Sequence, residues 1–178
     1  MDSFQAAQED MQSAYLNGIP GVVTSGTVWI IAATVAFVGN PIAGIATLIF
    51  GGSAIFPVSV LLCKVLGRSG KHDRNNPLAP LAIEGTVWML LSIPIAIGIA
   101  FHKIEWFFPA MMLVIAGRYL TFKTLYGFRI FWLFSLALVL ASIACILLKA
   151  PVYIGALSGG LVEIIFAVLL YIFTRKSD

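Results

Sequence analysis

Six apolar stretches divide this chain, and each is long enough to cross a lipid bilayer as an α-helix. A hydrocarbon core about 30 Å thick is spanned by about 20 residues of helix. Helices are predicted because backbone amides cannot stay unpaired in hydrocarbon, and because the alternation typical of a β-barrel is absent. The sequence therefore predicts an all-α fold, a polytopic membrane bundle of six transmembrane helices, at 21–39, 41–65, 80–101, 106–127, 129–148 and 151–174.

Composition supports a surface that faces lipid. Hydrophobic residues make up 60% of the 178 residues and charged residues 11%, whereas soluble domains average about 45–50% and about 25%. The net charge of +3 does not indicate nucleic-acid binding, because the basic residues lie in the gaps between apolar stretches and not in one recognition stripe. The lipid bilayer is the predicted partner, and the length fits one domain.

Residues 1–18 form a separate N-terminal segment. Its three acidic residues and its lack of Lys and Arg are untypical of a cleavable signal peptide. Apolar residues recur at helical spacing, which predicts an amphipathic helix lying on the membrane surface or against the bundle, with a partner-binding arm as the alternative. A turn at 17–20 would end it, leaving 19–178 as the six-helix domain. The apolar residues are Phe4, Ala7, Met11, Ala14 and Tyr15.

The distribution of Lys and Arg predicts the orientation. Only Lys103 and Lys149 lie on one side, whereas eight basic residues lie on the other. Cytoplasmic loops carry the excess of positive charge, so both termini and the polar loop 66–79 are predicted to be cytoplasmic. The eight are Lys64, Arg68, Lys71, Arg74, Lys123, Arg129, Arg175 and Lys176.

Short turns pair the helices into three hairpins, 21–65, 80–127 and 129–174, that look like repeats. Gly26-Thr27-Val28-Trp29 in the first matches Gly85-Thr86-Val87-Trp88 in the second, and the third keeps Trp132. Small residues let helix backbones approach closely, which predicts packing within the bundle or, alternatively, the face of a homo-oligomer. Each second helix has an early proline and a small pair: Pro41 with Gly51-Gly52, Pro109 with Ala116-Gly117, and Pro151 with Gly159-Gly160.

Two resemblances follow from these patterns. The triple hairpin with its prolines and small pairs resembles the acid-resistance (HdeD-like) family of six-helix membrane proteins. More closely, the chain resembles an uncharacterised family of small six-helix bacterial membrane proteins, which implies a bacterial inner-membrane location and no particular activity. The stretches that carry the closer resemblance are 60–64, 67–72, 84–86, 105–110 and 117–122.

A polar centre is predicted inside the membrane. Arg118 and Glu163 each lie twelve residues after the start of a helix that enters from the outer face, which places both about 18 Å along it. Equal depth favours an Arg118–Glu163 ion pair, which Glu84 could approach from the cytoplasmic side. The predicted ligand-binding residues are Arg118, Glu163, Glu84, Tyr119, Thr121 and Trp88.

The polar centre leaves its role open. It could bind a small polar or anionic ligand with Arg118 as anchor, and Glu163 could couple binding to proton movement because desolvation favours its neutral form. Alternatively, the ion pair could be purely structural. Small-molecule binding or transport is the predicted function, with a non-catalytic stress or assembly protein and a lipid-modifying enzyme as alternatives. No spacing indicates catalytic residues, a metal site or a cofactor, and neither His72 nor His102 has a metal-like partner.

Overall fold

Helices make up nearly all of the computed structural model, which describes residues 3–175. The α-helices are α1 (Phe4–Tyr15), α2 (Ile19–Val38), α3 (Pro41–Val65), α4 (Ala79–His102), α5 (Phe107–Tyr126), α6 (Ile130–Leu147) and α7 (Val152–Arg175). Two short 3-10 turns, Leu16–Gly18 and Ile104–Trp106, precede α2 and α5. Residues 1, 2 and 176–178 lie outside the described residues, and these include Lys176, one of the eight basic residues used to predict the orientation.

Five helical segments are long and apolar enough to cross a membrane: Phe4–Val38, Pro41–Val65, Ala79–His102, Ile130–Leu147 and Val152–Arg175. The chain is therefore a multi-pass membrane protein. The sixth predicted span corresponds to α5, whose 20 residues are long enough but include Arg118 and Lys123 in its C-terminal half. Since α5 packs between α4 and α6, neighbouring helices shield much of its surface, and that surface need not be uniformly apolar.

The helices form a bundle with α2, α5 and α7 inside and with α3 and α4 at the edges. Helix α2 packs against α3 and α7, α5 packs against α4 and α6, and α7 also touches α5 and α6. Glycines allow a close crossing of α2 and α7: a Cβ added to Gly159 on α7 would lie 2.5 Å from the indole ring of Trp29 on α2. The small pair of the third hairpin therefore packs inside the bundle.

The three hairpins, however, place their matched tryptophans in different surroundings. Trp29 is 1% exposed, whereas Trp88 and Trp132 are 60% and 57% exposed. A repeat of three equivalent hairpins therefore stays a prediction from the sequence, because the side chains that define it do not make equivalent contacts.

Helix α1 lies across one end of the bundle, which we call the α1 end. Ala7, Met11 and Ala14 are buried. Its glutamines reach the last turn of α5: Gln8 Nε2 donates to the Thr124 carbonyl at 2.7 Å and Gln12 Nε2 to the Tyr126 carbonyl at 2.8 Å. Helix α1 thus contacts the end of α5, and its amphipathic character stays a prediction.

The loop between α3 and α4 also closes onto α1. Asn76 Nδ2 donates to the Ala7 carbonyl at 3.0 Å and to Asp10 Oδ2 at 2.7 Å. The Tyr15 hydroxyl and His72 Nδ1 lie 2.8 Å apart in a further hydrogen bond. The α1 end is thus covered by a hydrogen-bonded layer, whereas the opposite end, formed by the turns at 39–40, 103–106 and 148–151, has only short connections.

Candidate functional site

A hydrogen-bonded pair of polar side chains lies in the interior of the bundle. The Tyr119 hydroxyl on α5 donates to Glu163 Oε1 on α7 at 3.0 Å. Glu163 is 0% exposed and Tyr119 4% exposed. The structure therefore brings together two of the six predicted site residues, on two helices that are far apart in the sequence.

The walls around this pair are apolar or small. Phe134 stacks on the Tyr119 ring with centroids 3.9 Å apart, and Phe166 stacks on Phe134 at 4.6 Å. On the side of α2, a Cβ added to Gly26 would lie 3.1 Å from the Glu163 Cβ, and the buried Ser25 lies next to the pair. Charge in such surroundings is little screened, so any interaction with the carboxyl group is strong.

One carboxylate oxygen of Glu163 has no partner within the described part of the chain. Oε1 accepts from Tyr119, but Oε2 is buried and makes no hydrogen bond of good geometry to any residue from 3 to 175, although the Ser25 hydroxyl lies close by. A buried polar atom without a partner costs about 1–3 kcal/mol. The atom is therefore suited to hold a proton or to accept a hydrogen bond from a small ligand.

Arg118 makes its side-chain contacts with α4 and with its own helix. Its Nη1 lies 3.1 Å from the Met89 sulfur on α4, and its guanidinium carbon lies 5.7 Å from the centroid of the Phe122 ring. Within residues 3–175 no ion pair joins Arg118 to an acidic residue, so the predicted Arg118–Glu163 ion pair is not formed. Consecutive helix residues point about 100° apart, and with Tyr119 turned towards α7, its neighbour Arg118 turns towards α4.

The remaining predicted residues lie on the α4 side. Thr121 Oγ1 donates to the Arg118 carbonyl at 2.7 Å, beside Gly85, whose added Cβ would lie 3.4 Å from that hydroxyl. Glu84 is exposed and so is Trp88. The six residues thus separate into an interior pair, Tyr119 with Glu163, and a group of four at or near the contact of α4 with α5.

Ser25, Phe134 and Phe166 were missed from the sequence. The aromatic pair lies in apolar stretches rich in similar residues, so nothing in the pattern singles it out. One sequence signal could have found Ser25: it directly precedes Gly26 in the first half of a span, and adjacent small residues mark places where another helix comes close.

The described residues contain no group of three or more His, Cys, Asp or Glu side chains that could hold a metal ion. Cys63 and Cys145 are free and buried. The chemistry available to the interior pair is therefore hydrogen bonding and proton exchange at one carboxyl group.

Residues 4–173 match a protein family described as a family of unknown function, DUF7010. No curated protein and no solved structure matches the chain. The prediction of an uncharacterised family is confirmed, and the resemblance to the acid-resistance family stays a prediction. The chain belongs to the DUF7010 family.

Proposed function

We propose that this DUF7010 member is a membrane protein of small-molecule binding or transport type, in which Glu163 takes up and releases a proton. The observation that carries the proposal is the unpartnered Oε2 of a completely buried carboxyl group. Ionisable residues at membrane depth are rare and mark ion paths and proton relays in many membrane proteins.

A proton suits this carboxyl group better than a bulky ligand does. Tyr119, Gly26 and the stacked Phe134 occupy the space around Glu163, and a proton needs no cavity. Tyr119 already donates to Oε1, so a proton on Oε2 leaves that hydrogen bond in place. Proton exchange would thus change the charge of the interior without disturbing its packing.

The ligand itself would bind on the α4 side. Arg118 is half-buried there and has a sulfur atom and an aromatic ring beside it. A small polar or anionic molecule that pairs with Arg118 would approach between α4 and α5, where Glu84 and Trp88 lie at the surface. Arg118 and Tyr119 are consecutive on α5, so a small rotation of that helix would affect both the ligand side and Glu163.

The proposal includes a topology of six spans, with α5 as the sixth and the α1 end in the cytoplasm of a bacterial cell. Loop 66–78 lies at that end, and its basic residues favour the cytoplasmic side. Lys103 and Lys149, at the opposite end, would then face outwards.

Infrared difference spectroscopy across a pH titration of the purified protein tests the proton step. Wild type should show the carbonyl stretch of a protonated carboxylic acid appearing as the pH falls, and Glu163→Gln should lose this band. Tyr119→Phe should keep the band but shift it, because the carboxyl group loses its hydrogen bond.

Glu9→Gln is the matched control, since Glu9 is an exposed carboxylate on α1. If Glu163→Gln leaves the whole difference spectrum unchanged, Glu163 does not titrate and the proton role is wrong. The ligand side is tested separately by thermal unfolding in detergent with a panel of metabolites and ions. Stabilisation of wild type that Arg118→Ala abolishes supports a ligand at that residue, and equal stabilisation of both proteins excludes it.

A further inference from the structure

A second polar site lies at the opposite end of the bundle, far from α1. The turn between α4 and α5 and the turn between α6 and α7 enclose an open cleft of about 500 Å³. Clefts of roughly 300–1,000 Å³ are the size that small ligands or head groups occupy. None of the residues predicted from the sequence as ligand-binding lines this cleft.

The lining of the cleft carries more positive than negative charge. Lys103 and Lys149 supply two positive charges and His102 a further hydrogen-bonding group, against the single carboxylate of Glu105. Lys103 Nζ lies 5.0 Å from the centroid of the Trp106 ring, a cation–π contact that holds the ammonium group near the cleft wall. The charge balance favours an anion.

Lys149 has a backbone conformation that favours glycine. Its φ is +51°, and it ends α6 in a Schellman motif, with Ala150 N donating to the Cys145 carbonyl at 2.9 Å and Lys149 N to the Ile146 carbonyl at 3.2 Å. Glycine is the usual residue at this position because it has no Cβ. A lysine here therefore bears a conformational cost that glycine would not.

Two helix N-termini add to the positive potential. Trp106 directly precedes α5, and Ala150 lies two residues before Val152, the first residue of α7. Both line the cleft. Helix N-termini carry partial positive charge and favour anions. The C-termini of α4 and α6 lie at the same end and carry partial negative charge, which the two lysines also offset.

We propose that this cleft binds a phosphate group, either on an anionic lipid or on a small soluble molecule. The lysines supply charge-assisted hydrogen bonds, and Trp106 forms the apolar edge next to the bilayer. The site is independent of Glu163 and would operate whether or not that residue exchanges a proton.

Thermal unfolding of the full chain in nanodiscs tests the proposal in two arms. One arm adds inorganic phosphate to nanodiscs of phosphatidylcholine, with chloride at equal ionic strength as reference. The other compares phosphatidylglycerol with phosphatidylcholine nanodiscs. We expect a higher Tm in at least one arm, and the arm that responds identifies the source of the phosphate group.

Lys149→Gly combined with Lys103→Gln is the decisive variant. Glycine suits the positive φ of residue 149, so the variant should fold, yet it removes both charges and should weaken phosphate or lipid binding about tenfold or more. Lys64→Gln, an exposed lysine at the end of α3, is the control and should respond like wild type. The proposal is overturned if neither arm raises the Tm of wild type, or if the double variant responds as strongly as wild type, which would leave the lysines as helix caps.

Discussion

Helices α2 and α4 carry the same four residues, Gly-Thr-Val-Trp, at 26–29 and 85–88, and the bundle treats them in opposite ways. Trp29 is enclosed between α2 and α7, whereas Trp88 faces outwards from α4. The difference comes from the partner helix: α7 presents Gly159 and Gly160 to α2, and Gly117, the glycine nearest Trp88, would bring an added Cβ no closer than 3.9 Å to the indole nitrogen. A local motif therefore does not fix burial, because burial also needs a complementary surface on another helix.

The largest effect should come from shortening the two tryptophans. Trp29→Ala removes a fully buried ring and leaves a cavity, so we expect a loss of about 3–5 kcal/mol, whereas Trp88→Ala should cost less than about 1 kcal/mol. Unfolding of the purified variants in detergent would measure both. Trp29→Phe should cost less than Trp29→Ala, because it keeps an aromatic ring and removes an indole N–H that has no partner in the described chain. Equal losses at positions 29 and 88 would show that the two hairpins pack alike.

A smaller effect is expected from filling the crossing of α2 and α7. Gly159→Ala introduces a Cβ that would lie 2.5 Å from the Trp29 ring, so the helices must separate, at a cost of about 1–3 kcal/mol. Gly52→Ala is the matched control, since nothing lies within 4 Å of its added Cβ and alanine favours helix. The same unfolding assay decides between them, and a Gly159→Ala protein as stable as wild type would contradict the tight crossing.

The smallest effect is expected from removing single hydroxyl groups, one in the interior pair and one on the α4 side. Tyr119→Phe removes the hydrogen bond to Glu163 and should cost about 1–2 kcal/mol, since a buried carboxyl oxygen then loses its donor. Thr121→Val removes only a hydroxyl that donates to the carbonyl of its own helix and should cost under about 0.5 kcal/mol. If Thr121→Val lowers the free energy of unfolding more than Tyr119→Phe does, the polar contacts on the α4 side contribute more to stability than the interior pair.

The sequence predicts where the helices begin and end, but it does not predict which side of each helix is buried. Span limits agree within two residues, as for 41–65 and Pro41–Val65, because bilayer thickness and turn residues determine where each helix starts and stops. The buried side of a helix is harder to predict. Where lipid surrounds the bundle, the buried and exposed sides are both apolar, so the hydrophobic pattern does not distinguish the buried Trp29 from the exposed Trp88.

The candidate site shows the same limit. Equal depth of Arg118 and Glu163 predicts an ion pair between α5 and α7, whereas in the structure it is the next residue, Tyr119, that contacts Glu163. Depth along a helix follows from counting residues, whereas direction around it depends on which neighbour packs where. The unpartnered oxygen of Glu163 was beyond prediction, since it depends on every side chain around it.

The crossing of α2 and α7 also bears on how the protein is made. Trp29 and its partner Gly159 are separated by roughly 130 residues, and a ribosome adds about 5–20 residues per second. Helix α2 is therefore synthesised on the order of ten seconds before α7. During that time the face of α2 that packs against α7 is uncovered. During that interval lipid, an insertase or another membrane protein has access to that face, so the order of synthesis itself creates a period when this first hairpin is vulnerable to the wrong partner.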